Sequence, residues 1–345
     1  MNKTTTPITA EAAFKQLSQA GYSKGYIQKL LPDWWDNSLL RTSAGSLQFA
    51  LILRQCLGLK VQFNDGGGIA IASVAPTARF KHRIDTQESE LTVAANLGLA
   101  LAKTALYAVK NPYLPLPSDP LLLRQKCLEH SGKNAVCFES LLSLCWEHGI
   151  PVLFLNYLPN SSKKVTGMAV STEERPAIVL GFNHKQPARQ LFILAHELGH
   201  ILLGHVESGS MLLDEELVEV QGNLEGSPEV LKDTQELEAD KFALGLIRGI
   251  ATDPLEEIGT QKSAATLVAN TIPIAKKYGI DTGHLILSYA KKHDNWALAN
   301  QALKFLPRED NPLDLIEMQF KRNIDLDNLS GEHANYVYLI QGFEK

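Results

Sequence analysis

The chain has 345 residues, of which 45% are hydrophobic and 21% charged, and a net charge of −5. That length holds two or three cores, and that composition belongs to a globular protein rather than a disordered or membrane-embedded one. The negative balance excludes indiscriminate nucleic-acid binding, although residues 1–60 carry a modest excess of lysine and arginine.

The first 17 residues lack the uninterrupted apolar core of an export signal. Ala10 to Ala20 and Lys24 to Leu31 read as two short helices around the turn Gly21-Tyr22-Ser23, with Ser23 capping the second. The spacing permits a helix-turn-helix with Lys24, Tyr26, Gln28 and Lys29 in a DNA groove. We favour the other reading, a helical packing or partner-binding module, with Trp34 and Trp35 anchoring it onto a core. Ser43 to Leu57 is an amphipathic helix ended by Gly58, and Lys60 to Val74, interrupted by Gly66-Gly67-Gly68, is a hairpin. No helix and no Lys-Ser/Thr pair follows that glycine run, so it is not a phosphate loop. Thr92 to Lys110 is predicted to be a buried helix. Its apolar stretch, Val93 to Val109, is broken by Lys103 and is short for a bilayer span, so no membrane partner is expected.

A proline-rich linker, Asn111 to Asp119, precedes two predicted helices, Pro120 to Glu129 and Asn134 to His148, the second closed by Gly149. Strands follow at 151–155, 165–171 and 177–182, leading into a helix at 192–203; Ala177 to Gly181 is the candidate edge for pairing with an extended substrate. From Ser263 the chain is mostly helical, over Ile272 to Tyr278, Thr282 to Lys292 and Asn295 to Leu306. Cys56, Cys127, Cys137 and Cys145 form no CxxC pair, and Cys137 and Cys145 read as buried thiols on one helix. A reducing cytoplasm fits that usage.

The chemistry lies in His196-Glu197-Leu198-Gly199-His200. Residues four apart on a helix sit about 40° apart, so both imidazoles reach one ion. Glu197 turns about 100° away, where it can hold a water as general base. A catalytic zinc takes three protein ligands and leaves one position open. A third histidine in the HExxHxxGxxH pattern fails here, since Leu203 and Val206 stand at the required positions and His205 points about 140° from His200. The segment Gln235 to Ala243 serves better. Glu236 and Asp240 are an i, i+4 pair, with Glu236 as third ligand and Asp240 as the acceptor that fixes a ligand histidine's ring. Glu238, about 200° from Glu236, is the weaker alternative.

The run ARQLFILAHELGHILLGH (Ala188 to His205), followed by ELEADKFA, resembles the ImmA/IrrE-type metallopeptidases, gluzincin-like enzymes several of which cleave helix-turn-helix repressors. The resemblance covers roughly Asn134 to Leu246 and extends to Ile274 to Ile280 and Trp296 to Asn300. It implies His196, His200 and Glu236 as Zn2+ ligands and Glu197 as base. The expected fold is α+β and mainly helical: a zincin-like catalytic domain with a small sheet, flanked by helical N- and C-terminal regions. The expected divisions are 1–112, 113–250 and 251–345.

The expected function is a zinc-dependent endopeptidase acting on a protein substrate such as a basic DNA-binding repressor. The alternative is a DNA-binding or partner-binding regulator in which the zinc domain is a sensor or scaffold. The acidic stretch from Glu207 to Asp240 is either a rim that attracts a basic substrate or a solvated loop. His205 and His184 are candidates for stabilising an oxyanion, against capping or surface roles. Arg189 reads as a structural ion-pair partner.

Overall fold

A computed structural model describes residues 9–63, 69–73, 78–81, 88–160, 162–173, 175–182, 184–214, 234–249, 253–307 and 310–344. The N-terminal third comprises helices α1 (Ala10–Gln19), α2 (Lys24–Leu30) and α3 (Ser43–Leu57), strands β1 (Leu59–Phe63), β2 (Ile69–Ser73) and β3 (Ala78–Lys81), and helix α4 (Glu88–Ala108). The middle carries α5 (Pro120–Ser131), α6 (Phe138–Glu147), β4 (Val152–Phe154), β5 (Gly167–Thr172), β6 (Arg175–Leu180), α7 (Pro187–Leu202), β7 (Met211–Asp214) and α8 (Thr234–Arg248). Helices α9 (Leu255–Ile258), α10 (Ala264–Tyr278), α11 (Thr282–His293), α12 (Trp296–Leu303), α13 (Pro312–Asn323) and α14 (Gly331–Gln341) complete it. The fold is α+β, mainly helical, and zincin-like, as the sequence implied.

Local chemistry sets several boundaries. Ser23 Oγ accepts from the Tyr26 amide and starts α2, as predicted. Helix α6 begins four residues later than the predicted Asn134, because Cys137 is extended and caps it, its amide donating to Ser140 Oγ at 3.0 Å. Cys137 therefore stands outside the helix that holds the buried Cys145, and all four cysteines are free. The predicted hairpin is present as β1 paired antiparallel with β2, its glycine run lying outside the described residues.

A mixed sheet in the order β3-β7-β5-β6-β4 forms the floor of the molecule's central region. Successive strand residues face opposite sides. On β5, Gly167 faces α7 and Met168 faces Gly98 of α4, so the sheet is clamped between those two helices. Helix α4 is long and apolar enough to cross a membrane, but 78% of its apolar window is buried within the fold. Its hydrophobicity serves the core.

Strand β6 is paired on both sides, to β4 and to β5, so Ala177 to Gly181 is not a sheet edge and cannot accept a substrate strand. Among the described strands β3 and β4 are the edges. The outer side of β4 is occupied by α14, where Gln341 Oε1 accepts from the Phe154 amide.

The expected divisions at 112/113 and 250/251 do not separate the hydrophobic cores. One buried cluster runs from Ala13 to Phe343 and takes in α1 to α8, α13 and α14; β3 of the N-terminal third pairs with β7 in the central sheet. A second cluster holds α9 to α12 together with Ala188 of α7. Helix α2 docks through Tyr26, which is buried, stacks on Tyr157 at 4.9 Å and donates its hydroxyl to the Tyr157 carbonyl. Tyr26 is thus a packing residue and not available to a DNA groove, whereas Lys24, Gln28 and Lys29 are exposed. Trp35 stacks on Phe49 at 5.4 Å as an anchor, while Trp34 is 52% exposed.

The two cores meet at the end of α8. Arg124 of α5 donates to the carbonyls of Leu246, Ile247 and Gly279, a cation placed where the helix dipole favours one. Arg248 donates to His284 Nε2 at 3.1 Å and to Ser288 Oγ at 2.8 Å, all three buried. Burial, then the Arg248 charge, holds the His284 imidazole well below its ordinary 6.5, so it stays neutral in the folded chain. Below pH 6.5 the unfolded chain takes up a proton there that the folded chain does not. This contribution to stability is therefore full above about pH 6.5 and is lost as pH falls through it. Urea unfolding at pH 7 and pH 5.5 is expected to show wild type losing about 1 kcal/mol more than His284→Gln over that interval. Equal losses would contradict it.

Candidate metal centre

Helix α7 is buried along almost its whole length, from Ala188 to His200 with Arg189 excepted. Its apolar faces fill the core on both sides, which leaves His196, Glu197 and His200 fully buried as well. Buried polar groups need partners, and they find them mainly on α8. The two helices approach closely because position 199 is glycine. A Cβ there would lie 3.1 Å from the Phe242 ring and 3.4 Å from the Ala239 backbone. That closeness carries Glu236, one turn before Ala239, to the histidines.

His196 Nε2 and His200 Nε2 are 2.9 Å apart. Glu236 places Oε2 3.4 Å from the first and Oε1 3.2 Å from the second. Taken together, two imidazole nitrogens and one carboxylate oxygen lie within 4.8 Å of one another. Of these three side chains only Glu236 is open to solvent, at 19%. Burial alone would raise its carboxyl, but the neighbouring imidazoles of His196 and His200 bring it well below the ordinary carboxylate range. A site that holds a carboxylate ionised between two inward-facing imidazoles is chemically suited to a divalent cation, and the N2O donor set is one that zinc takes. Asp240 stands behind His196, with Oδ1 3.0 Å from Nδ1. The four residues singled out from the sequence around the ion are brought together.

Glu197 points elsewhere. Its carboxylate lies against the start of β5, where a Cβ on Gly167 would be 2.1 Å from Oε1, 2.7 Å from Cδ and 2.9 Å from Cγ. Only a residue without a side chain leaves room for it. Gly167 was not legible as part of the site: it lies inside the predicted strand 165–171, where a lone glycine signals a bulge or a close approach without showing what approaches.

The other candidates take structural places. His205 is buried, 2.9 Å from His200 through the two Nδ1 atoms, and its Nε2 is 3.0 Å from Glu238 Oε2. His184 stacks on Phe182, and burial, then the Arg189 charge, lowers its imidazole below the ordinary value. Arg189 donates to Asn300 and lies over Trp296, tying α7 to α12. Of the acidic stretch, Asp214 ends β7 and residues 215–233 lie outside those described.

No curated protein and no solved structure matches the chain. A family model does. It is that of the IrrE N-terminal-like domain, a peptidase family, and it matches residues 145–246, a span that includes β5, all of α7 and nearly all of α8. The match supports a likeness of residues 145–246 to the ImmA/IrrE-type metallopeptidases.

Proposed function

We propose that this chain is a zinc-dependent endopeptidase of the cytoplasm, and that its substrate is a basic, DNA-binding repressor protein. The observation that carries the reading is the convergence of His196, His200 and Glu236 within 4.8 Å, with the Glu197 carboxylate on the adjoining turn. In this reading the three converging side chains hold the metal. Zinc bound there supplies Lewis acidity toward a water and toward the scissile carbonyl. Glu197 accepts the proton that the water gives up and returns it to the leaving amine. Its confinement against Gly167 restricts the orientation of that carboxylate. Asp240 holds His196 with Nδ1 protonated, so that Nε2 presents a lone pair.

The basic character of the substrate rests on the acidic composition of residues 207–240, which would draw a positively charged partner. The alternative of a DNA-reading α2 is weakened by Tyr26, which is spent on packing. The test is co-incubation of the full chain with helix-turn-helix regulators from the same organism, scored for cleaved products. Cleavage is expected with zinc present, abolished by a chelator and restored by added zinc. Cleavage that persists after complete chelation would overturn the reading, as would failure of every regulator to be cut.

A further inference from the structure

The two histidines of the centre are supported differently. His196 has a carboxylate directly behind it, Asp240. His200 has another imidazole behind it, His205, and that ring in turn meets Glu238. Two facing Nδ1 atoms at 2.9 Å can share only one proton, so one ring donates and the other accepts. Glu238 decides which. A carboxylate oxygen accepts, so a neutral His205 facing it carries its proton on Nε2, which leaves its Nδ1 as an acceptor. His200 must then carry its proton on Nδ1, and its Nε2 is left with a lone pair directed at His196 Nε2 and Glu236.

We propose that His205 and Glu238 are positioning residues for the metal centre: a relay from Glu238 through His205 that locks His200 in the one tautomer able to ligate through Nε2. The inference rests on the metal-binding reading above and adds the residues that prepare the fourth turn of α7 for it. The geometry of the chain makes the relay local. The His205 amide donates to the His200 carbonyl at 2.9 Å, which folds the chain back just past α7 and brings the second ring beside the first. Glu238 is about half exposed, so the relay ends at the surface while its inner members are buried. This also accounts for Glu238 lying on the opposite side of α8 from Glu236: it serves the same ion from behind.

The tautomer lock predicts changes in metal affinity that do not depend on catalysis. Zinc affinity is measured by competition with a chromophoric chelator on the full chain, with thermal unfolding of the metal-free proteins alongside. His205→Ala is expected to weaken zinc binding about 10- to 100-fold, the usual effect of losing the partner behind a ligand histidine. His205→Asn keeps an acceptor at the δ position and is expected to recover most of that loss, to within about fivefold of wild type. Glu238→Ala changes a half-exposed side chain, so it should fold even if His205→Ala does not, and is expected to weaken binding at least about threefold. In the His205→Asn background it should add less than about twofold, because the link is already cut.

Wild-type affinity in His205→Ala, or equal losses in His205→Asn and His205→Ala, would overturn the relay, the second result assigning the ring to packing alone. Unchanged affinity in Glu238→Ala would overturn it too. Failure of the wild-type chain to bind zinc at all would instead remove the metal reading on which the relay depends.

Discussion

Replacing Glu197 with glutamine is expected to leave zinc bound with near wild-type affinity and to lower kcat about 1,000-fold, the middle of the range for losing a general acid–base group. Glutamine has the shape of glutamate, so it fits the same space against Gly167. It cannot accept a proton from water. The converging donors belong to His196, His200 and Glu236, so their hold on a cation does not pass through position 197. Substrate binding should be largely retained, which makes the variant a trap for the uncut partner. Single-turnover cleavage assays beside zinc titrations separate the two effects. A sensor or scaffold would be indifferent to this change. Cleavage within tenfold of wild type would remove Glu197 from the chemistry, and with it the peptidase mechanism derived from α7.

Much of this centre could be read before the fold was known, because helical spacing is a local rule. His196 and His200 share a face by periodicity alone, and Glu236 and Asp240 likewise. Their meeting is a tertiary fact, and the cue for it was chemical: two imidazoles require a third ligand, and Glu236 with Asp240 offers a ligand and a second acceptor on one helix face. The residues that escaped notice act through space. Gly167 matters only because β5 runs beside α7. His205 and Glu238 read from the sequence only as separate side chains, since nothing in a linear sequence reports that a chain turning back at the end of α7 sets one ring edge-on behind another. Strand order escaped for a related reason. Strands of near-continuous apolar character read the same at an edge as at the centre of a sheet, so β6 was assigned an exposed side that β4 and β5 both occupy. The domain divisions failed to follow the cores because α4 reads as an independent buried helix, yet its partners are the central strands.

Gly167→Ala tests whether the position of the Glu197 carboxylate, rather than its presence, sets the rate. The added methyl would stand 2.1 Å from Oε1, closer than any real contact, so one of the two must yield. Gly167 has no left-handed backbone requirement, and alanine is compatible with its strand conformation. The clash is with the far end of a side chain, which can swing, and not with backbone. Overpacking of this kind costs about 1–3 kcal/mol of stability, which is small beside the global stability of a chain with cores this large. Swinging the carboxylate away from the ligand turn costs far more in catalysis, since misplacing a reacting group by about 1 Å lowers rates about 100-fold. The variant is therefore expected to fold, to bind zinc within about threefold of wild type, and to lose about 100-fold in kcat with little change in KM. Gly167→Ala with wild-type kcat would show that Glu197 reaches its working position by another route than the cradle on β5. A loss of zinc binding in step with activity would show that β5 carries the ligand helix itself, and would shift the role of Gly167 from orienting the base to seating α7.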